Sequence, residues 1–149
     1  MVDVFTEIDI ARPVGEVAAY TADPDNAPRW YDNIARAEWR TEPPLRVGSV
    51  FAFVARFLGR TMAYDYEVVE LTPERLVMRT RQGPFPMETT YLWSRRSDGT
   101  THMTLRNRGE PAGFSRVVAP FIAPAMRRAN RKDLATLKTI LETTGSASA

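Results

Sequence analysis

The sequence contains no cysteine and a single histidine, His102. The first absence excludes disulfides, thiolate nucleophiles, Cys-based zinc sites and iron–sulfur clusters. The second leaves no two-histidine metal site and no Cys/His dyad, and a Ser-His-Asp triad would have to use His102 itself. No metal site and no cofactor is therefore expected. Long apolar runs are missing as well: none approaches the roughly 20 residues that span a bilayer, so stable membrane insertion is not expected. The opening stretch MVDVFTEIDI is acidic and alternating, unlike the basic and then apolar pattern of a signal peptide, and the default expectation is a cytoplasmic protein. An excess of one charge is absent too. Twenty Lys and Arg are nearly offset by 18 Asp and Glu, leaving +2, and that balance argues against a nucleic-acid partner.

What is present fits one globular domain spanning residues 1–149, with 44% hydrophobic and 26% charged residues and enough chain to bury a core. Residues 2–10 alternate, placing Val2, Val4, Thr6, Ile8 and Ile10 on one side of a half-buried strand. Pro13 suits a first helical turn, and Val14, Val17, Ala18 and Thr21 follow at helical spacing, predicting a short helix over about 13–21. The Pro and Asx punctuation of ADPDNAPRWYDNI predicts a turn and a second short helix near 26–31. Six strand-like segments follow at about 34–42, 48–57, 60–71, 74–81, 86–95 and 100–108. Their connectors are short, which implies an antiparallel meander, because parallel strands need crossovers of a dozen residues or more.

From about 121 onward Ile122, Met126, Ala129, Leu134, Leu137, Ile140 and Leu141 recur at helical spacing. This predicts an amphipathic helix of roughly 23 residues, about 35 Å long. Pro120 and Pro124 each remove a helical hydrogen bond, so its first turns are expected to kink or to form a separate turn after Gly113. The tail GSASA, about 145–149, is expected to fray. A sheet with one polar face needs a single cover for the other, and only this helix is long enough. The expected class is α+β, a curved antiparallel sheet of about seven strands wrapped around a long C-terminal helix.

The segments DPDNAPRWYDNI, VGSVF, FLGR, AYDYEVVEL, GPFPMETTYLW, DGTTHMTL and NRGEP, with a helix ending DLATLKTILE, carry a resemblance. The chain resembles the polyketide cyclase/dehydrase-like branch of the START/Bet v 1 (SRPBCC) superfamily over nearly its whole length. The resemblance implies a helix-grip fold with two small helices closing one end and a cavity between sheet and helix. It implies little about chemistry, because that superfamily holds lipid carriers, receptors and cyclases alike.

Alternation collects an inner face from four strands: Tyr64, Tyr66, Met78, Thr80, Thr89, Tyr91, Trp93, Met103, Leu105 and Asn107. Phe51 or Phe53 can join it, their facing unsettled by pattern. So many polar tips suit a pocket better than a plain core, since an unpaired buried hydroxyl or amide costs about 1–3 kcal/mol. Met78, Met103 and Leu105 also fit ordinary packing, and Trp93 fits a cover near the strand end. Asn107 must find partners in backbone, water or ligand. From the long helix Met126, Ala129 and Asn130 are expected to face the same space, and Trp30 to staple the short helices over its mouth.

His102 shares the outward face with Thr104 and Arg106, and Glu88 and Asp65 also point outward. Acid–base chemistry would then fall to other carboxylates or to tyrosines, with Tyr64 and Tyr66 the candidates. The expected function is binding of a small hydrophobic or aromatic molecule, lipid or polyketide-like, with a cyclase or dehydratase acting on the same ligand as the alternative. Val117, Val118, Phe121 and Ile122 form an apolar patch that fits a membrane or protein contact, a cavity cover or a homodimer seam.

Overall fold

A computed structural model describes residues 2–57, 59–82, 86–110 and 119–148. Strand β1 (Val2–Ile10) leads into helix α1 (Val14–Ala22), a 3-10 turn (Pro24–Asn26) and the single-turn helix α2 (Ala27–Trp30). Six strands follow: β2 (Ile34–Trp39), β3 (Val50–Phe57), β4 (Arg60–Thr72), β5 (Arg75–Gln82), β6 (Met87–Arg95) and β7 (Thr101–Gly109). Helix α3 (Ala119–Ser148) ends the chain. All strand pairs are antiparallel and the sheet order is β1-β7-β6-β5-β4-β3-β2, so the last strand returns beside the first. This is the helix-grip arrangement.

The strands form where period-two patterning puts apolar groups inward. β7 alternates buried and wetter residues from Thr101 to Gly109, and β1 does the same against it in unbroken register from Val2↔Gly109 to Ile10↔Thr101. Register shifts at Asp65/Tyr66 and Val68/Glu70 interrupt the β4–β5 pairing, and another sits at Ile34/Arg36. Such bulges bend and twist a strand locally, which lets the 13-residue β4 curl toward α3. Two glycines are demanded by geometry. Gly99 takes φ +83° in the β6–β7 turn, and a side chain on Gly109 would lie 2.6 Å from the Pro86 carbonyl oxygen, so only glycine permits that close approach.

Helix α3 is longer than the periodicity suggested, 30 residues rather than about 23, and takes in most of the tail expected to fray. It also runs through Pro124 without a break. The proline lies in the second turn on the wet side, and Pro120, whose carbonyl loses its donor there, is exposed. Water can satisfy that carbonyl. The expected separate turn after Gly113 lies outside the described residues.

The buried residues fall into two groups. Ile122 and Met126 pack with Val2 and Val4, pinning the first turns of α3 to the β1 edge. A larger cluster includes Trp30, Trp93, Met103, Leu105, Leu134, Leu137 and Leu141. Ile122 is thus fully buried, and of the apolar patch expected at 117–122 only Phe121, 65% exposed, stands outward among the described residues; 117 and 118 lie outside them. Among the described residues no helix is long and apolar enough to cross a membrane.

Candidate functional site

Between the N-terminal half of α3 and the concave sheet lies a cavity of about 110 Å³. Its walls come from β3, β4, β5, β6, β7, α3 and the Tyr31–Ile34 segment. Nine of the residues singled out in the sequence meet there: Tyr64, Tyr66, Met78, Thr89, Tyr91 and Asn107 from the sheet, with Met126, Ala129 and Asn130 from α3. Period two on the strands and steps of three and four on the helix put them on facing surfaces. Phe53 joins them, whereas Phe51 is buried and makes no part of the cavity wall.

Five others lie elsewhere. Trp93 is 1% exposed beneath α1, where its indole N–H donates to the Thr21 hydroxyl at 2.9 Å. Met103, paired with Trp93 across the β6–β7 ladder, and Leu105 are buried without lining the cavity; both fill the core toward the C-terminal half of α3. Trp30 is 1% exposed against the rings of Tyr31 and Tyr91, and its N–H finds no acceptor among the described residues, so packing alone holds it. Thr80 sits past the β4 bulge, and its hydroxyl accepts the Met87 N–H at 2.9 Å, fixing the start of β6. Alternation assigned the correct face to the four strand residues among these but could not say how far along the strand the hollow extends.

The polar groups of the cavity are organised in two sets. In the first, Asn130 Nδ2 donates to Asn107 Oδ1 at 2.7 Å and Asn107 Nδ2 donates to Thr89 Oγ1 at 2.8 Å. Asn107 therefore finds its partners in side chains of β6 and α3. The Thr89 hydroxyl is left to donate onward, toward Tyr66, whose own proton meets only the thioether of Met87 at 3.5 Å. A thioether is a weak acceptor, so the Tyr66 O–H retains most of its capacity to donate. Burial pushes the Tyr66 hydroxyl well above its ordinary pKa and that of Tyr64 up to about 12, so both are neutral donors at physiological pH.

The second set was not foreseen. Tyr31, set in extended backbone just after α2, shares a 2.6 Å hydrogen bond between its hydroxyl and that of Tyr91. Asp133, one turn beyond Ala129 and Asn130, also lines the cavity, 2% exposed. Its Oδ1 accepts the Asp32 N–H at 3.0 Å. Burial raises its pKa from 3.8 to about 6 despite that hydrogen bond; burial also raises the pKa of both tyrosines, with the Asp133 charge adding a smaller push in the same direction. Helical spacing from Met126 through Asn130 points directly at Asp133, so its place was recoverable. Tyr31 and Asn33 come from irregular backbone, where no periodicity applies, and Arg56 sits near the end of β3 next to Ala55, where alternation assigns it outward.

Glu88 and Asp65 are part of the outer face, Glu88 bonded to Arg79 at 2.7 Å. His102 also lies outside, its Nδ1 2.6 Å from Asp9 Oδ1. Among the described residues no group of three or more metal-ligating side chains converges.

A curved antiparallel sheet closed by one long helix over an apolar cavity with a few convergent polar groups defines a START-like helix-grip protein. More particularly, the chain belongs to the polyketide cyclase/dehydrase and lipid transport family, whose model matches residues 1–142. No curated protein matches it at a significant level. A START superfamily protein from Mycobacterium smegmatis superposes with a TM-score of 0.81 at 13% identity, over 95% of this chain and 98% of that one. A protein from Thermus thermophilus gives 0.80 at 19% identity, over 99% of each chain. The Zhui aromatase/cyclase of a Streptomyces species gives 0.80 at 13%, over 94% of this chain and 93% of that one. At these identities the likeness is one of fold.

Proposed function

We propose that the protein binds a compact hydrophobic or aromatic molecule in this cavity and orients it by a small number of polar contacts. The observation that carries this reading is the convergence of a donor with only a thioether for a partner, Tyr66, and a buried acceptor, Asp133, on a largely apolar space whose other polar side chains bond mostly to one another. Ligand sites are usually apolar clefts with a few placed polar groups of this kind. The volume, about 110 Å³, is below the roughly 300–1,000 Å³ of drug-sized sites. It suits a single ring or a short chain.

Titration calorimetry with ethylbenzene, a neutral single-ring apolar probe, tests the reading. One probe should bind per chain, and Ala129→Trp, which fills the space from the helix side, should abolish binding while the fold is retained. A wild-type chain that binds no probe, or a variant that binds as well as wild type, removes the proposal. Native mass spectrometry of freshly purified protein would identify a retained ligand.

A second reading, turnover of the ligand, is favoured by Asp133. A carboxyl with a pKa of about 6 is part ionised near neutrality, as acid–base catalysis requires. With a β-hydroxy carbonyl compound in the cavity, Tyr66 would donate to the carbonyl oxygen. Asp133 would take the proton from the carbon beside it; the freed electron pair becomes the new C=C bond as the β C–O bond breaks. The same proton then passes to the departing hydroxide, giving water. The family description spans both cyclases and lipid carriers, and one structural neighbour is an aromatase/cyclase. Asp133→Asn separates the readings, because an enzyme loses turnover with affinity retained, whereas a carrier has no turnover to lose.

A further inference from the structure

The face of α3 opposite the cavity carries a second feature. Phe121, Pro124, Arg128, Arg131 and Lys132 are all exposed and recur at steps of three and four, forming one stripe along the outside of the helix. Phe121 is 65% exposed, the most of any large hydrophobic among the described residues. The stripe is held outward because Ile122 and Met126, on the other side of the same turns, are packed on Val2 and Val4.

The charges here differ from most of those on the sheet's outer face. There Arg75, Arg79, Arg81 and Arg106 each face a carboxylate, as does Arg96 in the β6–β7 turn, and Arg108 lies near the Asp3 carboxylate that Arg106 holds. Arg128 and Arg131 pair with no described residue, and the residues outside the described set include no Asp or Glu. Lys132 makes one contact, 3.5 Å to Asp32, with both side chains more than 60% exposed. Over residues 119–133 the single acid is Asp133, which is turned inward. An uncompensated cationic stripe with an aromatic at one end has the chemistry of an interfacial helix, whose cations meet anionic headgroups while the ring enters the acyl boundary.

We infer that this stripe docks the protein on an anionic phospholipid surface through Phe121, Arg128 and Arg131. Phe121 stands two turns from Arg128, at the end of the stripe next to exposed Pro124, where it can enter an acyl boundary; a nucleic acid would need the ring interleaved with the cations to stack bases between phosphate contacts. Docking would set the α3 wall of the cavity against the bilayer, the source of an apolar ligand.

Flotation with vesicles of phosphatidylcholine, alone or with about one third phosphatidylglycerol, tests the inference. Wild type should float with the anionic vesicles only, and less as salt rises. Arg128→Gln with Arg131→Gln should weaken partitioning about thirty-fold, roughly five-fold per arginine, while the cavity probe still binds. Because the chain has no cysteine, Phe121→Cys gives a single site for an environment-sensitive dye. Its emission should shift to the blue on anionic vesicles, and the same dye at Phe5→Cys, on the outer face of β1, should not respond. The inference is overturned if wild type ignores anionic vesicles, binds neutral ones equally, or is retained by RNA or DNA instead. It is also overturned if the double arginine variant floats as well as wild type, or if the two dye positions respond alike.

Discussion

Trp93 and Thr89 lie four residues apart on one strand, face the same way, and are buried to nearly the same degree, 1% and 4% exposed. Around Trp93 the interior is solid: Met103 stands opposite, Val17 and Thr21 cover it from α1, and the one polar atom of the indole is satisfied by Thr21. Around Thr89 the same sheet and the same helix enclose a cavity, and the polar atoms form a chain through Asn107 and Asn130. The difference follows from the helix. Its C-terminal half presents Leu134, Leu137 and Leu141 to the sheet, branched side chains that interdigitate, while its N-terminal half presents Met126, Ala129, Asn130 and Asp133. Alanine leaves room, and amides and carboxylates cannot be packed tightly against apolar neighbours without unmade hydrogen bonds. The solid half secures the fold, and the hollow half holds what stability alone would not select.

Truncation tests that division most strongly. Trp93→Ala removes the largest side chain of the solid half and leaves Thr21 without its donor, and should cost about 3–5 kcal/mol in denaturant unfolding. Met78→Ala, whose side chain already borders the cavity, should cost nearer 2 kcal/mol, at the low end for such deletions. Equal losses at the two sites would mean that the cavity half is packed as tightly as the other.

The fold was largely legible because it rests on long, regular patterns. Each strand end falls within about three residues of its expected place, since period-two runs and Pro/Gly breaks agree there. The site was legible only where it shares those patterns. Tyr64, Tyr66, Thr89 and Asn107 follow from alternation, but whether an inward group meets a neighbour or a void depends on the distance to the facing helix, which is a tertiary quantity. Trp93 and Asn107 are indistinguishable by face and opposite in role. The expected break at Pro124 is absent because a proline near a helix N-terminus is tolerated where the lost bond faces water, and the tail GSASA has no apolar periodicity from which to extend the helix.

Asp133 offers a second test, through pH. Its pKa is raised from 3.8 in the unfolded chain to about 6 in the fold, so between those values the native state holds the extra proton. Stability from this group is therefore greatest below pH 4 and declines as pH rises to 6, by about 3 kcal/mol, with no further change above. Asn at this position keeps an oxygen for the Asp32 N–H and carries no charge. Asp133→Asn should then be the more stable protein at pH 7, and the gap to wild type should shrink on acidification through that window. Asp3, Asp9 and Glu142, whose pKa values are lowered by ion pairs or hydrogen bonds on the surface, act oppositely but equally in both proteins and drop out of the difference. A gap that does not vary with pH would place the carboxylate in contact with water.

The smallest expected effect is the one that asks what the hollow half's polar groups are for. Tyr66→Phe keeps the ring, which lies 5.6 Å from that of Phe53, and removes only a hydroxyl whose proton met a thioether. The structural cost is the loss of an acceptor for Thr89, about 1 kcal/mol. If the chain from Asn130 to Thr89 served only to satisfy buried groups, this cost would be the whole effect. If it holds Tyr66 ready to donate to a ligand, affinity for a carbonyl-bearing ring should fall about ten-fold, while a ring without the carbonyl binds unchanged. Titrating acetophenone and ethylbenzene into wild type and variant measures the difference directly. Two equal changes would reduce Tyr66 to part of the wall, and the two ends of the sheet would then differ in how well they are filled but not in what they do.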